Sequence, residues 1–372
     1  MRKRAMLKTK RPVAKVVLIS LVLIIALALA SFIAVFFVYP AILRNLHRIE
    51  ADSGIDSMEI VEIGGIPQVL YFRGQDVENP AILFIHGGPG FPEMPVLHGF
   101  QHPWEEYFTI VHWDQRNAGK TFFLSEPEEI LQTMSLGQAL ADAYEVTQHI
   151  RETLNKDQII LLGYSWGSVL GSALAQAYPQ YFSAYIGLGQ VINMRENERV
   201  GFEMLLDAAS GGRNIDVIEA LYPYPPYGSF DESFIDRMAQ VRGWQVRYGL
   251  AMGSDFRTIW LIFTYPHYSL REKWYFMNPN MLNYHEPIMR ALFDEIDVRD
   301  FGVDFEMPVF IIMGDRDYQT PHILARDFFD TITAPHKEFF LIPDAGHAAH
   351  HDNRDEFNRI LIDVIRPIVM RH

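Results

Sequence analysis

Gly163-Tyr164-Ser165-Trp166-Gly167 places a serine between two glycines, directly after the apolar run Ile159–Leu162 and before a helical segment, Ser168 to Tyr178, that stops at Pro179. A serine on so tight a strand-to-helix turn presents its hydroxyl where a neighbouring base can make it a nucleophile toward an acyl carbon. The glycines are needed where a Cβ would collide with backbone, and Gly167, Gly171 and Ala175, four apart, let the helix approach the sheet. Acyl transfer creates an oxyanion, which requires backbone N–H groups aimed at it. Trp166, the residue after the serine, offers one. Gly88, in the run His86-Gly87-Gly88-Pro89-Gly90 after the apolar stretch Ala81–Ile85, offers the other. His86, at a strand end beside glycines, is expected to fix that loop rather than to move a proton.

The acid and the base should follow the serine in that order. Beyond the apolar run Val309–Met313 comes Gly314-Asp315-Arg316-Asp317, and beyond Phe339–Ile342 comes Asp344-Ala345-Gly346-His347. Asp315 is placed to cap its loop or pair with Arg316, so Asp317 is expected to be the acid and His347 the base. His350-His351-Asp352 reads as a surface-like run on the start of the last helix. No ligand cluster calls for a metal, and this chemistry needs no cofactor.

These residues need a scaffold that delivers them to one place. The apolar runs Ala81–Ile85, Phe108–Trp113, Ile159–Leu162, Tyr185–Leu188, Val309–Met313 and Phe339–Ile342 alternate with amphipathic helices, the pattern of parallel strands buried on both faces. Met58–Ile63 and Gln68–Phe72, flanking Gly64-Gly65-Ile66-Pro67, read as an antiparallel hairpin. Ser135 and Gln138 have capping-box spacing for a helix whose apolar face is Leu136, Leu140, Ala143, Val146, Ile150 and Leu154. Between 191 and 300 the alternation stops. Helical patterns (Arg199–Ala209, Asp216–Leu221, Ser233–Tyr248), the breaker Tyr222–Gly228 and many aromatics indicate a helical insertion over the mouth of the sheet. Trp260, Phe263, Tyr265, Trp274, Tyr275 and Phe276 are expected to build its own core or to line a substrate pocket. Glu196, Glu198 and Glu203 are candidates to bind a substrate's α-amino group, or else form a solvated helix face with Arg195 and Arg199.

The chain resembles the α/β-hydrolase fold, and more narrowly its proline iminopeptidase-like (serine aminopeptidase) branch. The resemblance rests on His86–Gly90, Trp113–Lys120, Gly163–Gly167 and the loops ending in Asp317 and His347, and it covers about 58–190 and 301–372. It implies a mostly parallel sheet flanked by helices, and peptidase activity on short peptides. Two departures stand out. Asn117 replaces a usual glycine, and 191–300 lacks the branch's amine-binding patterns. An esterase or lactonase acting on a small apolar substrate is the alternative, and a non-catalytic binding protein a third.

Val16 to Val38 is 23 residues without a charge, preceded by seven basic residues and no acid in 1–15. At about 1.5 Å per residue such a helix crosses a hydrocarbon core of roughly 30 Å. The basic flank orients it with the N-terminus in the cytoplasm and the body outside, as a single-pass protein of the cell membrane. Cleavage as a signal peptide after Ala28-Leu29-Ala30 competes, but the apolar run continues past it. The expected division is a basic cytoplasmic tail (1–12), a transmembrane anchor (13–39), a stalk (40–57), a core in two parts (58–190 and 301–372) and the helical cap (191–300). With 32 basic residues in all, 25 remain beyond residue 15 against 46 acidic ones, a balance of −21 that disfavours nucleic acid or anionic lipid as an electrostatic partner. There is no cysteine, so disulfides, thiolate metal sites and cysteine nucleophiles are excluded.

Overall fold

The apolar runs form eight strands in one sheet. A computed structural model describes residues 2–211, 234–248, 256–278 and 280–371; the expected features at 216–221 and 222–228 lie outside them. The strands are β1 (Ile55–Ile63), β2 (Ile66–Gly74), β3 (Ala81–Ile85), β4 (Thr109–Asp114), β5 (Ile159–Tyr164), β6 (Phe182–Leu188), β7 (Val309–Gly314) and β8 (Lys337–Ile342). Their order is β1-β2-β4-β3-β5-β6-β7-β8. β1 and β2 form the hairpin and β2 pairs antiparallel with β4, while the remaining pairs are parallel. β3, β4, β5 and β7 are buried along their whole length, which is why they read as continuous apolar runs. Two apolar layers cover the sheet, one built on Val169, Leu170 and Leu174, the other on Trp104, Phe357 and Leu361.

Helix α1 (Arg2–Ile33) runs through a π-turn (Ala34–Val38) into α2 (Tyr39–Leu46), and Lys15–Leu46 forms one apolar helical stretch of 32 residues. Part of the expected stalk is therefore helical, and Pro40 and Leu43 are buried against the body. Charge-assisted bonds fasten this junction: Arg44 Nη2 donates to Pro266 O (2.7 Å) and Arg73 Nη2 to His47 O (2.6 Å).

After the short helix α3 (Pro127–Leu131), α4 (Leu136–Leu154) is capped by Ser135, whose Oγ accepts from the N–H of Gln138 at 3.1 Å. The reciprocal half of the expected capping box does not form. The Gln138 side chain donates instead to Asp142 (2.7 Å), a buried acid on the apolar face of α4. Asp142 also accepts from Gln68 Nε2 (2.9 Å) and from Arg116 Nη2 (3.0 Å), and Gln68 accepts from Trp113 Nε1 (2.7 Å). A buried carboxylate needs such a full set of donors, and this one locks 113–116 to α4. After β5, α5 (Trp166–Ala177) returns along the sheet, and α6 (Met194–Gly211) opens the insertion between β6 and β7.

Candidate active site

The carboxyl ends of the parallel strands converge, as ligand sites in such sheets do. β3 leads into the loop 86–90 and β5 into Ser165, while the loops that follow β7 and β8 carry Asp317 and His347. Ser165 stands between β5 and α5 with φ 54° and ψ −120°, a conformation costly for a residue with a side chain. The flanking glycines are sterically required: a Cβ on Gly163 would lie 2.3 Å from Gly167 O, and one on Gly167 2.1 Å from Ile85 O. The Ser165 N–H donates to Leu188 O (2.9 Å), tying the turn to the end of β6.

Asp317 is fully buried and His347 nearly so. Nδ1 of His347 lies 2.8 Å from Asp317 Oδ2, and the same oxygen accepts from Thr320 Oγ1 (2.7 Å). The other oxygen accepts from the N–H groups of Gln319 (3.0 Å) and Thr320 (2.9 Å). Burial alone would push this carboxyl up. The charge and hydrogen bond of His347, with the Thr320 donors, hold it below the usual carboxylate range. An ionised Asp317 fixes the proton of His347 on Nδ1 and leaves Nε2 as the acceptor. His347 also packs against the turn that carries Ser165, its ring 5.2 Å from that of Tyr164. Among the described residues Ser165 Oγ makes no hydrogen bond, and such contacts often tighten only on substrate. Asp315 instead accepts from Ala345 N (3.2 Å), shaping the loop that carries His347, and Arg316 pairs with Asp344.

The 86–90 loop lies directly on the serine: a Cβ on Gly87 would sit 3.0 Å from Ser165 Cβ. Gly88 has φ 113°, a glycine conformation, and Trp166, the residue after Ser165, opens α5, where the first N–H groups have no partner within the helix. His86 holds this loop. Its Nδ1 lies 2.8 Å from Gly87 O while Nε2 accepts from Gln115 N (3.3 Å), so Nδ1 carries the proton. Burial lowers its pKa to about 4, which keeps the ring neutral. Gln115 Oε1 accepts from Trp166 Nε1 (3.1 Å), joining both sides of the site. Asn117, in place of glycine, takes φ 55° and donates to Pro127 O (3.1 Å) and Tyr284 O (3.2 Å). Asparagine is the side chain that tolerates this region best. Tyr275 reaches in from the insertion, its hydroxyl 3.0 Å from Gly90 O and 2.9 Å from Asn117 O.

The three cap glutamates all have arginine partners. Glu196 pairs with Arg299 (3.0 Å), Glu203 with Arg199 (2.9 Å), and the buried Glu198 with Arg242. His350 is buried, not on the surface as its run suggested, because Phe100, Tyr164 and Phe357 enclose its ring. His350 and His351 lie 3.5 and 3.4 Å from Glu93 Oε2, and this trio is the group among the described residues with metal-ligand spacing. Burial would raise the Glu93 carboxyl, and the two histidines bring it well below its usual value. Thr320, Gln115, Asp142 and Glu93 were not singled out from sequence. Asp142, an acid beside an apolar helical stripe, and Thr320, three residues after Asp317, left readable signals.

The family model described as alpha/beta hydrolase fold matches residues 80–354. The probable aminopeptidase YbaC of Bacillus subtilis is 27% identical over 311 residues, covering 82% of this chain and 94% of that protein. The proline iminopeptidase of Neisseria gonorrhoeae is 30% identical over 120 residues, 32% of this chain and 36% of that one. The crystal structure of the proline iminopeptidase-related protein from Thermus thermophilus superposes with TM-score 0.53 at 19% identity, over 86% of this chain and 100% of that chain.

Proposed function

The chain belongs to the alpha/beta hydrolase fold family and is a hydrolase, and from that premise we propose a membrane-anchored serine hydrolase of aminopeptidase type acting on short peptides. Ser165 Oγ attacks the acyl carbon and gives its proton to His347 Nε2, while Asp317 stabilises the imidazolium. The oxyanion is received by the N–H groups of Gly88 and Trp166. Collapse expels the amine, which takes the proton from His347, and water then repeats the sequence on the acyl-enzyme. The observation that carries this reading is the 2.8 Å contact of His347 Nδ1 with a buried, depressed Asp317, set beside a serine on a strained turn. The similarity to YbaC over most of both chains supports the peptidase class. In this reading 191–300 caps the site, and 13–39 anchors the body outside the membrane with residues 1–12 in the cytoplasm.

One observation favours a second reading, an esterase or lactonase. An ammonium group in a desolvated cleft requires a carboxylate, and Glu196, Glu198 and Glu203 are each engaged by an arginine. The deciding experiment presents the full chain in detergent with free-amino aminoacyl arylamides, their N-blocked forms and aryl esters. Preference for free amines is expected; turnover of esters alone would replace the peptidase reading. Absence of both turnover and fluorophosphonate labelling would remove the catalytic one.

A further inference from the structure

A large aromatic surface continues from the N-terminal helix onto the insertion. Phe32 and Phe36 meet with tilted rings at 4.6 Å, Phe36 meets Phe263 of the helix Phe256–Thr264 at 5.7 Å, and Phe263 meets Trp274 at 5.8 Å. A parallel path runs from Tyr39 to Trp260 (5.6 Å) and on to Phe256 (6.4 Å). Much of it is open: Phe256 is 81% exposed, Trp274 59% and Met277 48%. Isolated exposed apolar residues are ordinary, but a contiguous aromatic patch joined to an apolar helix of membrane-spanning length has a specific environment to fit.

The anchor's own geometry says which environment that is. Lys15–Leu46 is a single helical stretch of 32 residues, about 48 Å long, so residues beyond the hydrocarbon core are still helical when they meet the body. The polar fastening by Arg44 and Arg73 begins one turn past Tyr39, which puts the aromatic rings of the insertion level with the last apolar turns of the helix. Trp and Tyr favour that level, where an apolar ring body meets a wet edge. The acidic body has no electrostatic reason to approach an anionic surface, so the contact would be apolar.

We propose that the insertion face formed by Phe256, Trp260, Phe263, Trp274 and Met277 is seated in the interfacial layer of the bilayer leaflet from which the N-terminal helix emerges. The proposal rests on the anchoring reading given above. The face is a partner site for lipid, separate from the catalytic residues. It lies one residue from Tyr275, whose hydroxyl touches Gly90 O, so the lipid surface and the 86–90 loop share a short turn.

The chain has no cysteine, so single cysteines report their own position without background. Full-length Trp274→Cys and Phe256→Cys, each carrying a nitroxide, are reconstituted into phosphatidylcholine–phosphatidylglycerol vesicles. Leu23→Cys in the helix and Glu78→Cys, at the opposite end of the strands, serve as references. Circular dichroism confirms that each variant is folded. Relaxation of the 274 and 256 labels by oxygen is expected to exceed relaxation by a water-soluble nickel chelate severalfold, as at Leu23, with the reverse at Glu78. If the Leu23 label is lipid-shielded while 274 and 256 behave like 78, the helix spans but the face is in water, and the proposal falls alone. A Leu23 label open to the chelate would instead remove the anchoring reading, and the proposal with it. Labels shielded from both reagents, with spin–spin broadening between chains, would assign the face to a second copy and overturn the lipid assignment.

Discussion

Buried charge is handled in two different ways at the strand ends and in the insertion. At the strand ends the acid Asp317 faces His347, Thr320 and backbone N–H groups, partners among which a proton can be held at one chosen atom. In the insertion the equally buried Glu198 faces Arg242, which stays charged at any working pH. Both carboxylates are satisfied, yet only the first arrangement leaves a neighbouring base with a free lone pair. Burial of an acid therefore marks a scaffold as readily as a site, and the partner's capacity to exchange a proton separates the two.

The sharpest way to break this comparison is at Ser165, the residue proposed as nucleophile. Ser165→Ala should lower kcat by several orders of magnitude and abolish fluorophosphonate labelling; labelling that persists would end the strand-end assignment. Next, Asp317→Asn should keep the fold but lower kcat on the order of 10⁴-fold, since the tautomer and charge support of His347 are lost. Asp315→Asn should cost far less, because its contact is the Ala345 N–H. Reversal of these two effects would reassign the acid.

Glu198→Gln tests the other side. It removes the buried carboxylate that pairs with Arg242, and should lower unfolding stability by about 2 kcal/mol in chemical denaturation while changing kcat little. A large kcat loss at unchanged stability would move Glu198 into the site. Asp114 offers a test by pH. Burial raises its carboxyl to about 7, against 3.8 unperturbed, despite bonds from the Tyr268 hydroxyl (2.6 Å) and the Lys120 N–H (2.7 Å). Folding then takes up a proton between those two values, so stability falls as pH rises through that window. Asp114→Asn should flatten this slope in thermal melts at a series of pH values; an unchanged slope would assign it elsewhere. The smallest effect belongs to Glu203→Gln. Its pair with Arg199 is more than half exposed, so stability should stay within about 0.5 kcal/mol, and KM for free-amino substrates should not move.

The sheet was legible because strands buried on both faces leave uninterrupted apolar runs, as at Ala81–Ile85, where reading and structure coincide. The hairpin was legible but its bounds were not. β1 starts at Ile55 and β2 extends to Gly74, because pairing with a neighbouring strand carries regular backbone into more polar residues. Around the site, the order of Gly163–Gly167, Asp317 and His347 was readable from local turn chemistry. The role of Gln115 was not, since its partner Trp166 lies 51 residues away, and Thr320, although only three residues from the Asp317 it donates to, was not read as closing that acid's turn. Gln138 shows why: its spacing favoured the cap, and the buried Asp142 won its side chain. His350 looked exposed for the same reason, as the rings that enclose it come from 100, 164 and 357.

Tyr275 has one hydroxyl proton and two carbonyl acceptors, Gly90 O and Asn117 O. A displacement of the turn that carries it would therefore break its bonds to the loops after β3 and β4 together, so those two loops share one tie to the insertion at a single oxygen.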